Sequence, residues 1–182
     1  ATSLFNSLTD FTFQDKQTRN SLILTGAALE KLGISNETFA QSIQLSTKAL
    51  GMNAEQAGQS MLDLEKFAQE LGVSPERLSG QFLEAGDALA KLGENGDEAF
   101  RDLAAASKVT GLEVNKLLNI VNQFDTFEGA ARQAGKLNAA LGGNFVNAMD
   151  LMMETDPTAR FEQIRDAILD TGLSFDEMSY YQ

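Results

Sequence analysis

The sequence predicts an all-α protein, an array of short helices arranged in hairpins and joined by turns that end on glycine. Apolar residues recur at spacings of three and four, as in Ala57, Met61, Leu64, Ala68 and Leu71, and this is the period of an amphipathic helix. The first five glycine-centred breaks interrupt that period at intervals of 18 or 21 residues. No segment shows the sustained alternation of apolar and polar residues that is typical of strands.

The glycine-centred breaks share one pattern, and the stretch LGVSPERL from Leu71 to Leu78 shows it most fully. A glycine one place past a helix enters the left-handed conformation that closes the last turn, which other residues reach only at a cost. Ser74 is a good N-cap, and Pro75 suits the first position of the next helix. The same reasoning predicts helix breaks at six glycines: Gly33, Gly51, Gly72, Gly93, Gly111 and Gly172.

These start and stop signals place ten helices along the chain. Further N-caps are predicted at Ser35, Asn53, Asp156 and Ser174, and Pro157 leads the helix that Asp156 caps. The predicted helices cover residues 16–32, 36–50, 54–71, 75–92, 97–109, 113–124, 126–141, 144–153, 157–171 and 175 onward.

The pattern divides the chain into an N-terminal segment of residues 1–15, expected to be extended, a repeated short-helix array over 16–125, and a second helical part over 126–182. The second part is either separate or continuous with the array. A 21-residue spacing equals three heptads, which would suit a coiled rod, but each apolar stripe stops at glycine before three heptads are complete. Short turns usually make neighbouring helices antiparallel, so helical hairpins are favoured.

The composition excludes several classes of function. The chain has 26 acidic and 14 basic residues, a net charge of −12, so it lacks the clustered positive charge that specific nucleic-acid binding needs. It has no Cys and no His, which excludes Cys–His and Ser–His catalysis. We therefore predict that it is not an enzyme and binds no cofactor. No apolar run approaches the ~20 residues of a membrane-spanning helix.

Three short stretches have residues of the kind found in ion sites. DTGLSFDE (Asp170–Glu177) and GENGDE (Gly93–Glu98) space oxygen ligands as a calcium loop does, but the first has Phe175 where such a loop needs glycine. LGGNF (Leu141–Phe145) has two glycines before a predicted helix, where backbone amides could bind an anion. Helix caps and a tight turn explain these stretches better, so no catalytic, cofactor or metal residue is assigned.

A few apolar side chains in the second helical part are candidates for contact with another chain. The stretch AMDLMMET crowds apolar residues around more than one face of a helix, and two tyrosines follow near the end. Core packing is the default for such residues, but large apolar groups left on the surface mark interaction sites. The candidates are Met149, Met152, Met153, Tyr180 and Tyr181.

The stretch FDTFEGAARQAGKLNAALGGNFVNAMDLM, from Phe124 to Met152, and the later FEQIRDAILDTGLSFDEMSYYQ resemble a segment of the tail tape measure proteins of tailed bacteriophages. The shared pattern is an F-D-[ST]-F-E-G-A-A run, then L-N-A-x-L-G-G, a short helix rich in Asp, Leu and Met, and G-x-S-F-D-[DE]-[ML]. The opening DKQTRNSLILTGAALEKLGIS resembles the helical region that precedes this block.

The resemblance implies a structural virion protein. Tape measure proteins are long helical chains inside the tail tube that set tail length during assembly and leave ahead of the DNA at infection. Parts near one end dock on the baseplate hub or tail tip, commonly as a trimer. The implied partners are other copies of the chain, the tube protein and the hub proteins, and the implied location is the tube lumen near the baseplate, after assembly in the host cytoplasm.

The length of the chain refines this expectation. Even if fully helical, 182 residues would span under about 300 Å, which is short for a ruler, and the glycine breaks oppose one straight rod. The resemblance therefore implies a folded docking portion of a longer protein. The alternative is a cytosolic all-α adaptor or scaffold domain that binds a partner helix in a groove.

Overall fold

The computed structural model describes residues 14–172, which form ten α-helices and one 3₁₀ helix, with no strand in that range. This confirms the predicted all-α class. In chain order the helices are α1 (Lys16–Lys31), α2 (Asn36–Ala49), α3 (Ala54–Leu71), α4 (Pro75–Glu84), α5 (Gly86–Ala90), the 3₁₀ helix (Gly93–Asn95), α6 (Gly96–Thr110), α7 (Val114–Asn122), α8 (Phe127–Leu141), α9 (Ala148–Met153) and α10 (Pro157–Leu169).

Contacts divide the chain into two compact units, Ala1–Asn115 and Lys116–Gln182, referred to below as unit 1 and unit 2. The division falls inside α7, whereas the sequence pattern divides the chain after residue 125. The predicted extended segment 1–15 and the predicted helix from 175 lie almost wholly outside the described residues.

Left-handed glycines stand at the breaks between helices. All six glycines singled out in the sequence have a positive φ, between 56° and 97°, and Gly142 shares this conformation. At Gly72 the backbone N–H donates to the carbonyls of Ala68 and Gln69, and the Ser74 hydroxyl then caps α4. Gly93 differs, because it opens the 3₁₀ helix three residues after α5 ends.

Unit 1 has a core built by the close packing of its first four helices, in which α2 contacts α1, α3 and α4. Phe39 on α2 is fully buried and lies against Gly26 of α1, where an added Cβ would be 3.1 Å from the phenyl ring. Phe82 on α4 meets Phe100 on α6 edge to face, with ring centroids 5.2 Å apart. Glycine on one helix and a large ring on the next thus set the distance between neighbours.

The predicted continuous helix over residues 75–92 is wrong, because the chain turns at Ala85 and starts again as α5. Ala85 keeps a φ of −77° but its ψ is −6°, which ends α4. Gly86 then lies against Leu45 of α2, and a Cβ on Gly86 would be 3.2 Å from a Leu45 methyl carbon. Glycine both weakens a helix and permits this approach, so packing against α2 overrides the helical period here.

The start of α4 also holds the start of α2. The Glu76 carboxylate accepts a hydrogen bond from the Ser35 N–H at 2.8 Å and another from the Thr38 hydroxyl at 2.7 Å. Partial burial raises the pKa of Glu76, but these hydrogen bonds together outweigh burial and hold the pKa below its ordinary value of 4.5. One carboxylate therefore stabilises two helix N-termini, where negative charge is favourable.

Replacing Glu76 by Gln should make unit 1 less stable in a pH-dependent way. Because the folded pKa lies below the unfolded value, the charged form contributes stability above pH 4.5, and this is lost as pH falls through the folded pKa. We expect Glu76→Gln to lower the free energy of unfolding by about 1 kcal/mol at pH 7, with the difference closing as pH falls below 4.5 and through the lowered folded pKa. Urea unfolding at several pH values, with Glu37→Gln as an exposed control, measures this; a difference that stays constant with pH contradicts it.

Two helical glycines offer a matched test of packing in unit 1. A Cβ on Gly96 would be 2.7 Å from a Leu50 methyl carbon and 2.8 Å from the Leu89 carbonyl oxygen, whereas a Cβ on Gly80 would meet nothing within 4 Å. We expect Gly96→Ala to cost about 2 kcal/mol through overpacking and Gly80→Ala to gain about 0.5–1 kcal/mol through helix propensity. Urea unfolding followed by circular dichroism compares the two, and a stable Gly96→Ala variant would disprove the tight packing.

Candidate functional site

Unit 2 contains the block that carries the family resemblance, and its helices α8, α9 and α10 enclose their own apolar core. The cluster draws on each of these helices and on the segments between them. Its buried members are Phe124, Ala130, Ala134, Val146, Leu151, Ile164, Ala167 and Ile168.

A buried arginine joins three segments of unit 2. Arg160, in the first turns of α10, is 5% exposed. Its guanidinium donates to the Val121 carbonyl oxygen at 2.7 Å, pairs with the Asp125 carboxylate at 2.6 Å, and donates to the Glu154 carbonyl oxygen through Nε at 3.0 Å and also through Nη2. These bonds connect the end of α7 and the turn after it to the turn before α10.

The FDTFEGAA run covers the turn between α7 and α8 and the first residues of α8, and four of its eight residues shape that turn. Phe124 is buried, Asp125 pairs with Arg160, and the Thr126 hydroxyl caps α8 by accepting from the Gly129 N–H at 3.1 Å. A side chain on Gly129 would collide with the Gln123 carbonyl oxygen. These four residues are therefore explained by the geometry of one turn, whereas Phe127 is left exposed.

The LNAALGGNF run forms the second turn, and Asn138 organises it. Its Oδ1 accepts from the N–H groups of Phe145 and Val146 at 2.9 and 2.8 Å, and its Nδ2 donates to Asn144 Oδ1 and to the Val146 carbonyl oxygen. Gly142 ends α8 in the left-handed conformation. Two amides of this turn are thus used inside the protein, which favours the tight turn over an anion site.

The second turn also corrects a predicted boundary. A helix was expected over residues 144–153, but α9 begins at Ala148, after the side chain of Asn147 accepts from the Met149 N–H at 3.0 Å. Asn138 holds residues 144–146 in the turn, so they cannot join the helix. The sequence offers one signal that was missed, since an asparagine in the last turns of a helix ahead of Gly-Gly is well placed to bind the following loop.

The predicted contact residues separate into three groups. Met149 and Met153 are 47% and 71% exposed, whereas Met152 is partly buried against the core of unit 2. Tyr180 and Tyr181 lie outside the described residues. Phe127 and Phe145 are also exposed in the structure, at 68% and 41%.

A groove of about 560 Å³ lies between α8 and the second turn, and its lining includes Phe145 and three asparagines, Asn138, Asn144 and Asn147. One wall is the α8 face that carries Ala131, Ala134 and Gly135, and a Cβ on Gly135 would meet nothing within 4 Å. Phe145 and Val146 contribute to the opposite wall. Small side chains on one wall and an exposed aromatic ring on the other make this groove the best candidate for protein contact in unit 2.

Where the structure describes them, the stretches with residues typical of ion sites do not form an ion site. In GENGDE, Asp97 accepts from the Ser60 hydroxyl at 2.7 Å and from Arg101 Nε at 3.1 Å. Within residues 14–172 no group of three or more Asp or Glu side chains could hold a metal ion. Residues 173–177 of DTGLSFDE lie outside that range. None of the helices described has both the length and the apolarity of a membrane span.

Comparisons with known proteins found no match: no protein-family model matches the chain, and no curated protein or solved structure matches it.

Replacing Arg160 by Met should destabilise unit 2 selectively. Met keeps the apolar stem but loses the ion pair and the hydrogen bonds to two carbonyl oxygens, so we expect a loss of about 3 kcal/mol. Arg132, 59% exposed and paired with Glu128 on the surface of α8, is the matched control, and Arg132→Met should change stability by under about 0.5 kcal/mol.

Amide hydrogen exchange gives the readout for each unit separately. Arg160→Met should speed exchange in α8 and α10 and leave exchange in α1–α4 unchanged. Equal exchange in the two arginine variants would show that the buried guanidinium does not hold unit 2 together.

Proposed function

We propose that the chain is a non-catalytic structural part of a phage tail tape measure protein, and that unit 2 is a folded docking portion near the baseplate. The observation that carries this proposal is the block from Phe124 to Met152, whose sequence resembles that family and whose residues are used to build one module. In the proposed role, the longer protein sets tail length, and it leaves the tail ahead of the DNA.

The contacts inside unit 2 support a structural role for the block. Asp125, Thr126 and Gly129 shape one turn, and Asn138 and Gly142 shape the next. Polar and glycine residues at such density often indicate an active site, but here the protein itself supplies their partners. The residues that carry the resemblance shape the turns between helices. The resemblance is therefore one of architecture, and a docking module depends on its architecture.

Charge supports the same proposal. The net charge of −12 opposes adhesion to DNA that passes through the same lumen. The proposed partners are therefore proteins: further copies of the chain, the tube protein, and the hub or tip proteins. Phe127 is the apolar member of the FDTFEGAA run that unit 2 leaves 68% exposed, so it is a natural contact for one of them.

Two changes in the phage gene that encodes the chain test the proposal. In-frame deletions from the helical remainder of the full protein should shorten the tail by about 1.5 Å for each residue removed. Arg160→Met should instead reduce the number of complete tails, because docking fails, and leave the length of the finished tails unchanged. Electron microscopy of purified tails measures both quantities, and Arg132→Met serves as the control.

Mass spectrometry of purified tails tests the location. Peptides from residues 16–172 should be present in tail particles at a fixed, low copy number. If these peptides stay in the host cytoplasm with a bound host protein, the chain is the all-α adaptor, and the tape measure proposal is wrong.

A further inference from the structure

The outer face of α1 carries an exposed stripe without charge. This helix contacts α2 and α3, and its buried residues are Leu22, Gly26 and Leu29. At about 100° of rotation per residue, Leu24 lies on the side opposite Leu22, and it is 72% exposed. The residues that share this side form the stripe, and all of them are exposed: Gln17, Ser21, Leu24, Ala28 and Leu32.

The spacing of the stripe is that of a surface on which another helix packs. Its members follow one another at steps of four, three, four and four residues, so they stay on one side of α1. Leu24 and Leu32 project as large apolar groups, whereas Ser21 and Ala28 leave room between them. From Gln17 to Leu32 the stripe is about 22 Å long, roughly four helical turns. The outward side of a helix is normally charged or polar, so two exposed leucines here are unusual.

The charge at the edge of the stripe is positive. Lys31 borders it, Lys16 lies on the same side near the start of α1, and Glu30 is turned away from it. With three basic residues and one acidic residue, α1 is the most positive of the described helices in a chain whose net charge is −12. Within the described residues neither of the two lysines takes part in an ion pair.

We propose that the outer face of α1 binds an amphipathic helix of a partner protein, with an apolar seam that lies on the stripe and acidic residues beside that seam. Opposite charges at the rim of an interface select the partner and its orientation. This surface belongs to unit 1 and is separate from the groove in unit 2. Its test uses the chain alone, so its failure leaves the tape measure proposal to its own test.

Other occupants fit this face less well. If α1 of a second copy lay antiparallel on the stripe, Lys16 of each copy would meet Lys31 of the other, and like charges oppose such a contact. A lipid surface requires a broader apolar face than two leucines provide. The net charge of −12 also opposes approach to an anionic bilayer.

Two synthetic helical peptides serve as probes for the test. Each is about three heptads long with leucine at the a and d positions; one has glutamate and the other lysine at the e and g positions. Like charges at e and g keep each peptide from pairing with itself. Because one helix face buries a small area, we expect the full chain to bind the glutamate peptide with a Kd of about 10–100 µM. Binding of the lysine peptide should be at least tenfold weaker. Fluorescence anisotropy of labelled peptide measures both.

Variants of the chain show whether the peptide uses the stripe. Leu24→Gln keeps a good helix former but removes the apolar group, so the glutamate peptide should bind at least tenfold more weakly. Val109→Gln is the matched control, because Val109 is 87% exposed on α6, and binding should not change. Lys16→Glu combined with Lys31→Glu should reverse the preference between the two peptides.

Several outcomes would overturn the proposal. One is the absence of binding up to about 500 µM peptide, and another is equal binding of the two peptides or of the wild-type and Leu24→Gln chains. Analytical ultracentrifugation of the wild-type chain is a further check, since self-association that Leu24→Gln abolishes would make a second copy the occupant. Flotation with phosphatidylglycerol vesicles that depends on Leu24 would make it a lipid surface.

Discussion

The guanidinium of Arg160 is buried where three segments of unit 2 meet, and the arrangement of its helices depends on that group. A buried positive charge is stable only when its donors are satisfied, and here the satisfying groups come from the end of α7, the following turn and the turn before α10. Each of those segments must keep its place for the charge to remain paired. The apolar core of Phe124, Leu151 and Ile164 contributes free energy of burial, but apolar contacts are not directional. The hydrogen bonds of the arginine therefore fix the positions of the segments.

Unit 1 is held together by a different kind of contact. Its helices are positioned by glycine and large apolar residues that approach each other closely, as at Gly26 with Phe39 and at Gly96 with Leu50. Its polar links include the Glu76 carboxylate on Ser35 and Thr38, at helix ends, and the Ser60 hydroxyl of α3 on Asp97 of α6. Close packing of glycine against large side chains thus positions the helices of unit 1, whereas a buried charge that donates to the Val121 carbonyl oxygen organises unit 2.

The separation in sequence between interacting residues decides which features the sequence could predict. Helix periodicity, N-caps such as Asn53, and left-handed glycines such as Gly72 are local effects, so the all-α class and most helix boundaries were predictable. The turn at Ala85 was not, because it accompanies the packing of Gly86 against Leu45, about forty positions earlier in the chain. The candidate site was predicted only in part. Helical spacing does not show which of the three methionines packs against a core formed by residues distant in the chain. In the structure, Met152 is the one that is partly buried against that core.

The shared carboxylate at the start of α4 has a consequence for local motion. Because Glu76 binds the N–H of Ser35 and the hydroxyl of Thr38, fraying of α4 at its first turn removes partners from the first turn of α2. The two helix starts are separated by about forty residues in the chain but are expected to open as one cooperative unit. Because a single side chain links these two helix ends, we expect their amide protons to exchange together.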